Sequence, residues 1–145
     1  MSLQALLAFA GEHALLSLAL VGITLALVYT EIARLFSGFK AVNPAGLTEL
    51  INREDALLLD LSAAGDFEKG HIPGARNVPP GQFDPQSKML AKAQERPVAL
   101  ACRSGTASAE AAKKLVKAGF KRVVWLDGGV LAWQAANLPL ARGRG

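Results

Sequence analysis

The chain has 145 residues, 51% hydrophobic and 19% charged, enough for one domain of ordinary size plus an appendage. Its single cysteine excludes an internal disulfide and a multi-cysteine zinc site. The net charge of +4 comes without an arginine-rich stripe interleaved with aromatics, so no nucleic-acid partner is expected.

The hydrophobic residues are unevenly placed. Residues 13–30, HALLSLALVGITLALVYT, contain no Asp, Glu, Lys or Arg, whereas all 16 Lys and Arg lie at or after Arg34. As a helix, residues 14–30 reach about 25 Å, slightly short of a bilayer's hydrocarbon core. Continuing through EIARLF to Phe36 supplies the missing length. It also sets Glu31 and Arg34 at the water boundary, brings Tyr29 and Phe36 to the interface, and lets Gly38 end the helix. Residues 1–12 then form an N-terminal flank, 13–36 one transmembrane helix in contact with lipid, and 37–44 a linker. A core helix would need a polar face, yet within residues 14–28 only Ser17 and Thr24 are polar. A cleavable signal peptide would need a positive start, and residues 2–13 hold no Lys or Arg. Arg34, Lys40 and Arg53 follow the span, so the positive-inside tendency orients the chain in the inner (cytoplasmic) membrane with its C-terminal domain in the cytoplasm. That reducing compartment suits an unpaired thiol.

From residue 45 to 145 the pattern changes to that of a folded domain. Asn43-Pro44 reads as a cap and first residue of a helix running to about Asn52. ALLLDL (56–61) is an apolar run too short for a helix and is expected to be a buried strand. AAGDFEKGHIPGA is rich in turn residues, with Gly65, Gly70, Pro73 and Gly74 as breaks. RNVP (76–79) gives a short strand, residues 85–95 a helix, and PVALA (97–101) the next strand. In the helix expected over 107–118, Ala111, Ala112, Leu115 and Val116 form the inner stripe and Lys113, Lys114 and Lys117 the solvated face. RVVWL (122–126) is a further strand, GVLAWQAA a last short helix, and ARGRG a basic tail without fixed structure. Alternating strands and helices predict an α/β domain with a mainly parallel sheet. His71, Trp125 and Trp133 are read as structural, and Gly128-Gly129 as a point of close backbone approach.

Cys102 leaves the sheet at a strand's carboxyl end, where such sheets bind ligands. The loop RSGTA (103–107) is centred on Gly105, which lets the backbone curl with its N–H groups inward. Ser108 or a neighbour then caps the helix that follows, whose N-terminal end points at the sulfur. A ring of N–H donors and a helix N-terminus favour an anion, a thiolate included. Arg103 adds a fixed positive charge suited to an anionic donor. Asp60, at a neighbouring strand end, either accepts hydrogen bonds from loops at the site or shapes a turn.

LLLDLS, DFEKGHIPGARNVP, CRSGTAS and LDGGVLAWQAANLP, in this order and spacing, resemble the rhodanese family of sulfurtransferases over the whole of residues 45–145. The resemblance implies a five-stranded parallel sheet flanked by helices. It implies that Cys102 attacks the sulfane sulfur of an anionic donor such as thiosulfate, and that the persulfide rests among backbone N–H groups of Arg103, Ser104, Gly105, Thr106 and Ala107. A second thiophile, a small thiol or a protein acceptor, then removes the sulfur, with no metal or organic cofactor. Asp60 and Ser108 are supporting candidates. Two positions depart from the family's pattern: Ser62 and Ala107 stand where Arg is common, leaving Arg103 as the only charged residue of the loop. A cysteine phosphatase would need Arg six residues after the cysteine, where this chain has Ser108. The second reading is a membrane-tethered rhodanese-like module that only binds or regulates; the retained Cys102, Arg103 and Gly105 speak against it.

Overall fold

A computed structural model describes residues 2–35 and 38–144, the side chains of Arg34 and Leu35 excepted. The described residues fall into two compact units, one N-terminal and one beginning at Gly38.

The N-terminal unit is helical. The flank, for which the sequence suggested no element, forms α1 (Leu3–Glu12), capped by the Ser2 hydroxyl accepting from Ala5 N at 3.3 Å. α2 (Ala14–Leu35) is 22 residues long, about 33 Å at the α-helical rise. Its segment Ala14–Ala33 has a mean hydropathy of 2.0 with nothing buried inside the protein, so by length and composition it is able to cross a membrane. Two of its hydroxyls turn back onto the helix: Thr24 donates to Leu20 O and Thr30 to Leu27 O, each at 2.8 Å. These polar groups therefore need no outside partner. Phe36, the expected end of the helix, lies outside the described residues.

The second unit is an α/β domain. Its elements are β1 (Phe39–Val42), α3 (Pro44–Glu54), β2 (Leu57–Asp60), α4 (Ala64–Lys69), β3 (Arg76–Asn77), α5 (Lys88–Ala91), β4 (Val98–Ala101), α6 (Thr106–Lys117), β5 (Val123–Leu126) and α7 (Gly129–Ala135). The five strands form one sheet in the order β1-β5-β4-β2-β3, every pairing parallel. β2 and β4 are buried at all four positions, as apolar runs covered on both faces should be. One face carries Leu59, Leu100 and Cys102 against Ala111, Ala112 and Leu115 of α6. The other packs Leu58, Ala99 and Ala101 against Leu47 of α3, Phe67 of α4 and Trp133 of α7.

Four local readings change. The stretch 37–44 contains β1, an edge strand that pairs with β5 from Phe39 opposite Val123 to Val42 opposite Leu126. With only half-burial at Phe39 and Val42 and exposed residues between, its apolar content is too low to mark it as a strand. α4 forms inside the turn-rich segment despite Gly65, because Phe67 is buried against the sheet. The expected helix over 85–95 shrinks to the four residues of α5, started by the Ser87 hydroxyl accepting from Leu90 N at 3.4 Å and preceded by a 3-10 turn at Pro80–Gln82. The basic tail has fixed partners: His71 and Ala141 exchange backbone bonds of 2.9 and 2.8 Å, Gly143 N donates to Glu68 O at 2.9 Å, and Arg144 pairs with Glu68.

His71 is structural. It is buried, stacks on Phe67 with ring centroids 3.7 Å apart, and places Nδ1 2.8 Å from Phe67 O. Trp133 is buried with its indole N–H donating to Pro139 O at 2.8 Å, and half-buried Trp125 packs against the α6-side core.

Candidate active site

Topology fixes where a ligand goes. After β2 the chain moves outward to β3, whereas after β4 it moves the other way to β5. β2 and β4 are neighbours whose connections diverge, so a crevice opens at their carboxyl ends. Asp60 and Ala101, the last residues of the two strands, pair there, and Cys102 follows immediately.

The loop from Cys102 curls around its own sulfur. Gly105 N donates to Cys102 Sγ at 3.0 Å, and Cys102 as a residue is 5% exposed. Gly105 has φ +100, and a Cβ there would stand 3.1 Å from the Trp125 ring and 3.3 Å from Leu126 O, so both conformation and space select glycine. Gly105 is also the N-cap of α6, with no side-chain capping bond. Ser108, expected as a possible cap, is instead the third residue of the helix, buried, its Oγ without a hydrogen-bond partner among the described residues. The first α6 backbone bond, Ala109 N to Gly105 O at 3.1 Å, leaves the N–H groups of Thr106, Ala107 and Ser108 with no carbonyl of the helix to bond. They lie in the turn that follows the sulfur.

Two of the loop's carbonyls are held from outside. Val130 N donates to Cys102 O at 2.8 Å and Leu131 N to Arg103 O at 3.3 Å, so the first turn of α7 is capped by the loop. In a planar trans peptide the N–H of the next residue points opposite to the carbonyl. The N–H groups of Arg103 and Ser104 are therefore turned away from α7. Gly129 makes this contact possible: with φ +61, a Cβ on it would be 2.2 Å from Cys102 O and 2.5 Å from Arg103 O. The close approach read from the Gly-Gly pair is thus onto the cysteine loop itself. Which backbone it approaches was not legible, because the partner lies a full strand away in sequence.

The remaining candidates divide. Arg103 is exposed and its guanidinium is 3.9 Å from Asp66, a carboxylate also 3.8 Å from Lys69. Arg103, Asp66 and Ser62 share a cleft of about 170 Å3 with Val130, Leu131 and Gln134. Ser104 and Thr106 are exposed, their hydroxyls 3.5 Å apart, and Ala107 is half-buried. Asp60 serves the turn: its Oδ1 accepts from Ser62 N at 2.8 Å, and its carbonyl accepts from Val78 N and Asn77 Nδ2. Strand alternation puts its side chain on the face of Leu58, opposite that of Cys102. Asp66 was missed because a carboxylate in a turn-rich stretch carries no signal of its own; only α4 brings it to the loop.

Residues 43–136 match the model of the rhodanese-like domain. The chain belongs to the rhodanese-like family. YibN of Escherichia coli strain K12 is 38% identical over 143 residues, covering 98% of this chain and 100% of that protein. An alignment of that length runs through the apolar N-terminal helix as well as the rhodanese-like domain. The thiosulfate sulfurtransferase GlpE of Pseudoalteromonas translucida is 34% identical over 98 residues, 68% of this chain and 91% of that protein. Among solved structures, a thiosulfate sulfurtransferase from Pseudomonas aeruginosa superposes with a TM-score of 0.65 at 30% identity, over 73% of this chain but only 20% of that longer one. The rhodanese-like domain thus has relatives named for sulfur transfer.

Proposed function

We propose that the protein is a membrane-anchored sulfurtransferase that carries sulfane sulfur on Cys102. The observation that carries the reading is the 3.0 Å bond from Gly105 N to Cys102 Sγ, inside a loop whose first two carbonyls, of Cys102 and Arg103, are bonded by α7. The sulfur thereby sits where donors converge and negative charge is stabilised. In the first step the Cys102 thiolate attacks the outer sulfur of thiosulfate. A bond forms between Sγ and that sulfur, the original S–S bond breaks, and its electron pair leaves with sulfite. The terminal sulfur of the resulting persulfide carries the negative charge, which the N–H groups from Arg103 to Ala107 stabilise as an oxyanion hole would. In the second step an acceptor thiolate attacks the terminal sulfur and releases the Cys102 thiolate. With one cysteine in the chain, the acceptor is another molecule.

The α2 helix is the anchor in this reading. Its length and composition support it. The basic residues after the span favour a cytoplasmic domain. Alkaline carbonate extraction of membranes tests this: the full chain stays in the pellet if α2 spans, and its release to the supernatant removes the anchor.

Arg103 is the loop's one fixed cation, and Asp66 beside it draws off part of its attraction for an anionic donor. Both groups are largely exposed, so the coupling is worth only ~0.2–1 kcal/mol. Asp66→Asn is therefore expected to lower the KM for thiosulfate about twofold at low salt, with kcat nearly unchanged and the gain vanishing as salt screens the site. A KM that does not move would show that the donor does not sense Arg103. If Cys102 carries no sulfur from any sulfane donor, the binding-module reading replaces this one.

A further inference from the structure

Four of the domain's cations lie together in a place that the cysteine loop does not touch. Arg76 of β3, Lys88 and Lys92 at the two ends of α5, and Arg96 line a cleft of about 440 Å3, with no carboxylate in its lining. Its floor is apolar, including Leu57 and the buried Ala93. Leu57 opens β2, whereas Asp60 closes that strand beside Cys102, so the cleft belongs to the other end of the sheet.

For the domain alone this arrangement is unfavourable. Lys88 and Lys92 stand at the repelling i,i+4 spacing along α5 and its C-cap. Some surface cations of the chain are paired, Arg53 with Glu49, Lys113 with Glu110 and Arg144 with Glu68. Among the described residues, Arg76, Lys88 and Lys92 have no ion-pair partner. Arg96 is held: Nε and Nη2 donate to Asp55 O at 3.0 and 2.8 Å, and the Asp55 carboxylate is 3.4 Å away. Its guanidinium is thereby fixed at the rim.

We propose that this cleft is a second binding site, for a phosphate-bearing anion. Three unpaired cations and a positioned guanidinium call for more charge than one carboxylate brings. A phosphate or diphosphate group supplies two or more charges with oxygens spaced for arginine forks, and the apolar floor receives the carbon part of the same molecule. Such an anion reaches the cleft either as a soluble phosphate monoester or diphosphate, or as the phosphomonoester headgroup of an acidic phospholipid.

Lysine footprinting on the full chain separates these. Acetylation of Lys88 and Lys92 is followed by mass spectrometry, with Lys114 and Lys117 of α6 as internal controls at constant ionic strength. One arm adds inorganic pyrophosphate to the protein in neutral detergent. The other compares nanodiscs of phosphatidylcholine with and without phosphatidic acid, whose headgroup is a phosphate monoester. Protection of Lys88 and Lys92 of about tenfold over the controls is expected in at least one arm. Protection by pyrophosphate alone identifies a soluble anion, and protection in the acidic discs identifies the headgroup. Arg76→Ala is expected to remove the protection while leaving persulfide formation on Cys102 unchanged. No selective protection in either arm, or protection undiminished in Arg76→Ala, overturns the proposal.

Discussion

A chain carrying Gly129→Ala is expected to lose both stability and sulfur transfer. The new methyl group would lie 2.2 Å from Cys102 O and 2.5 Å from Arg103 O, backbone atoms that cannot rotate away, and the residue has φ +61. Left-handed strain alone costs about 1–2 kcal/mol. Relieving the clash requires α7 to withdraw from the loop, breaking the bonds from Val130 N and Leu131 N. We expect a total loss of about 3–5 kcal/mol in denaturant unfolding. Transfer should fall about 10²-fold, since the cradle shifts by a large part of an ångström while Cys102 itself is unchanged. Wild-type stability together with wild-type transfer in this variant would mean that α7 does not fix the loop.

Replacing Cys102 by Ser is expected to abolish turnover while sparing the fold. Serine is close in size, and its oxygen can still accept from Gly105 N, so the loop keeps its one internal bond to this side chain. A neutral hydroxyl, however, neither attacks the sulfane sulfur nor stores it. Sulfite release from thiosulfate in the presence of a thiol should drop at least ~10³-fold, the scale on which removing a covalent nucleophile acts. An unfolding midpoint close to that of the parent separates this loss from misfolding. A variant that retained a tenth of the parent activity would place the nucleophile elsewhere.

How much of this was legible beforehand depends on range along the chain. β2 and β4 announce themselves as apolar runs because both faces of a central parallel strand are buried. α6 is legible from the alternation of Ala111, Ala112 and Leu115 with the lysines around them. The cysteine loop is legible because Gly105 sits between a strand and a helix. β1 is not, since an edge strand of four residues with two exposed positions needs little apolar content. α4 is hidden by Gly65 and Gly70, whose turn preference is overridden by the burial of Phe67. The tail looks unstructured because its order comes from Glu68 and His71, some seventy residues earlier. For the site, the residue types of the loop were readable, whereas its fastening to α7 and the approach of Asp66 to Arg103 depend on tertiary contacts alone.

The most direct test of the account is the intact mass of the purified full chain in detergent after thiosulfate treatment without reductant, beside Cys102→Ser. The parent should gain one sulfur atom, removed by a thiol, and the variant none. An unchanged parent mass after thiosulfate and after other sulfane donors, with the thiol still open to alkylation, would contradict it.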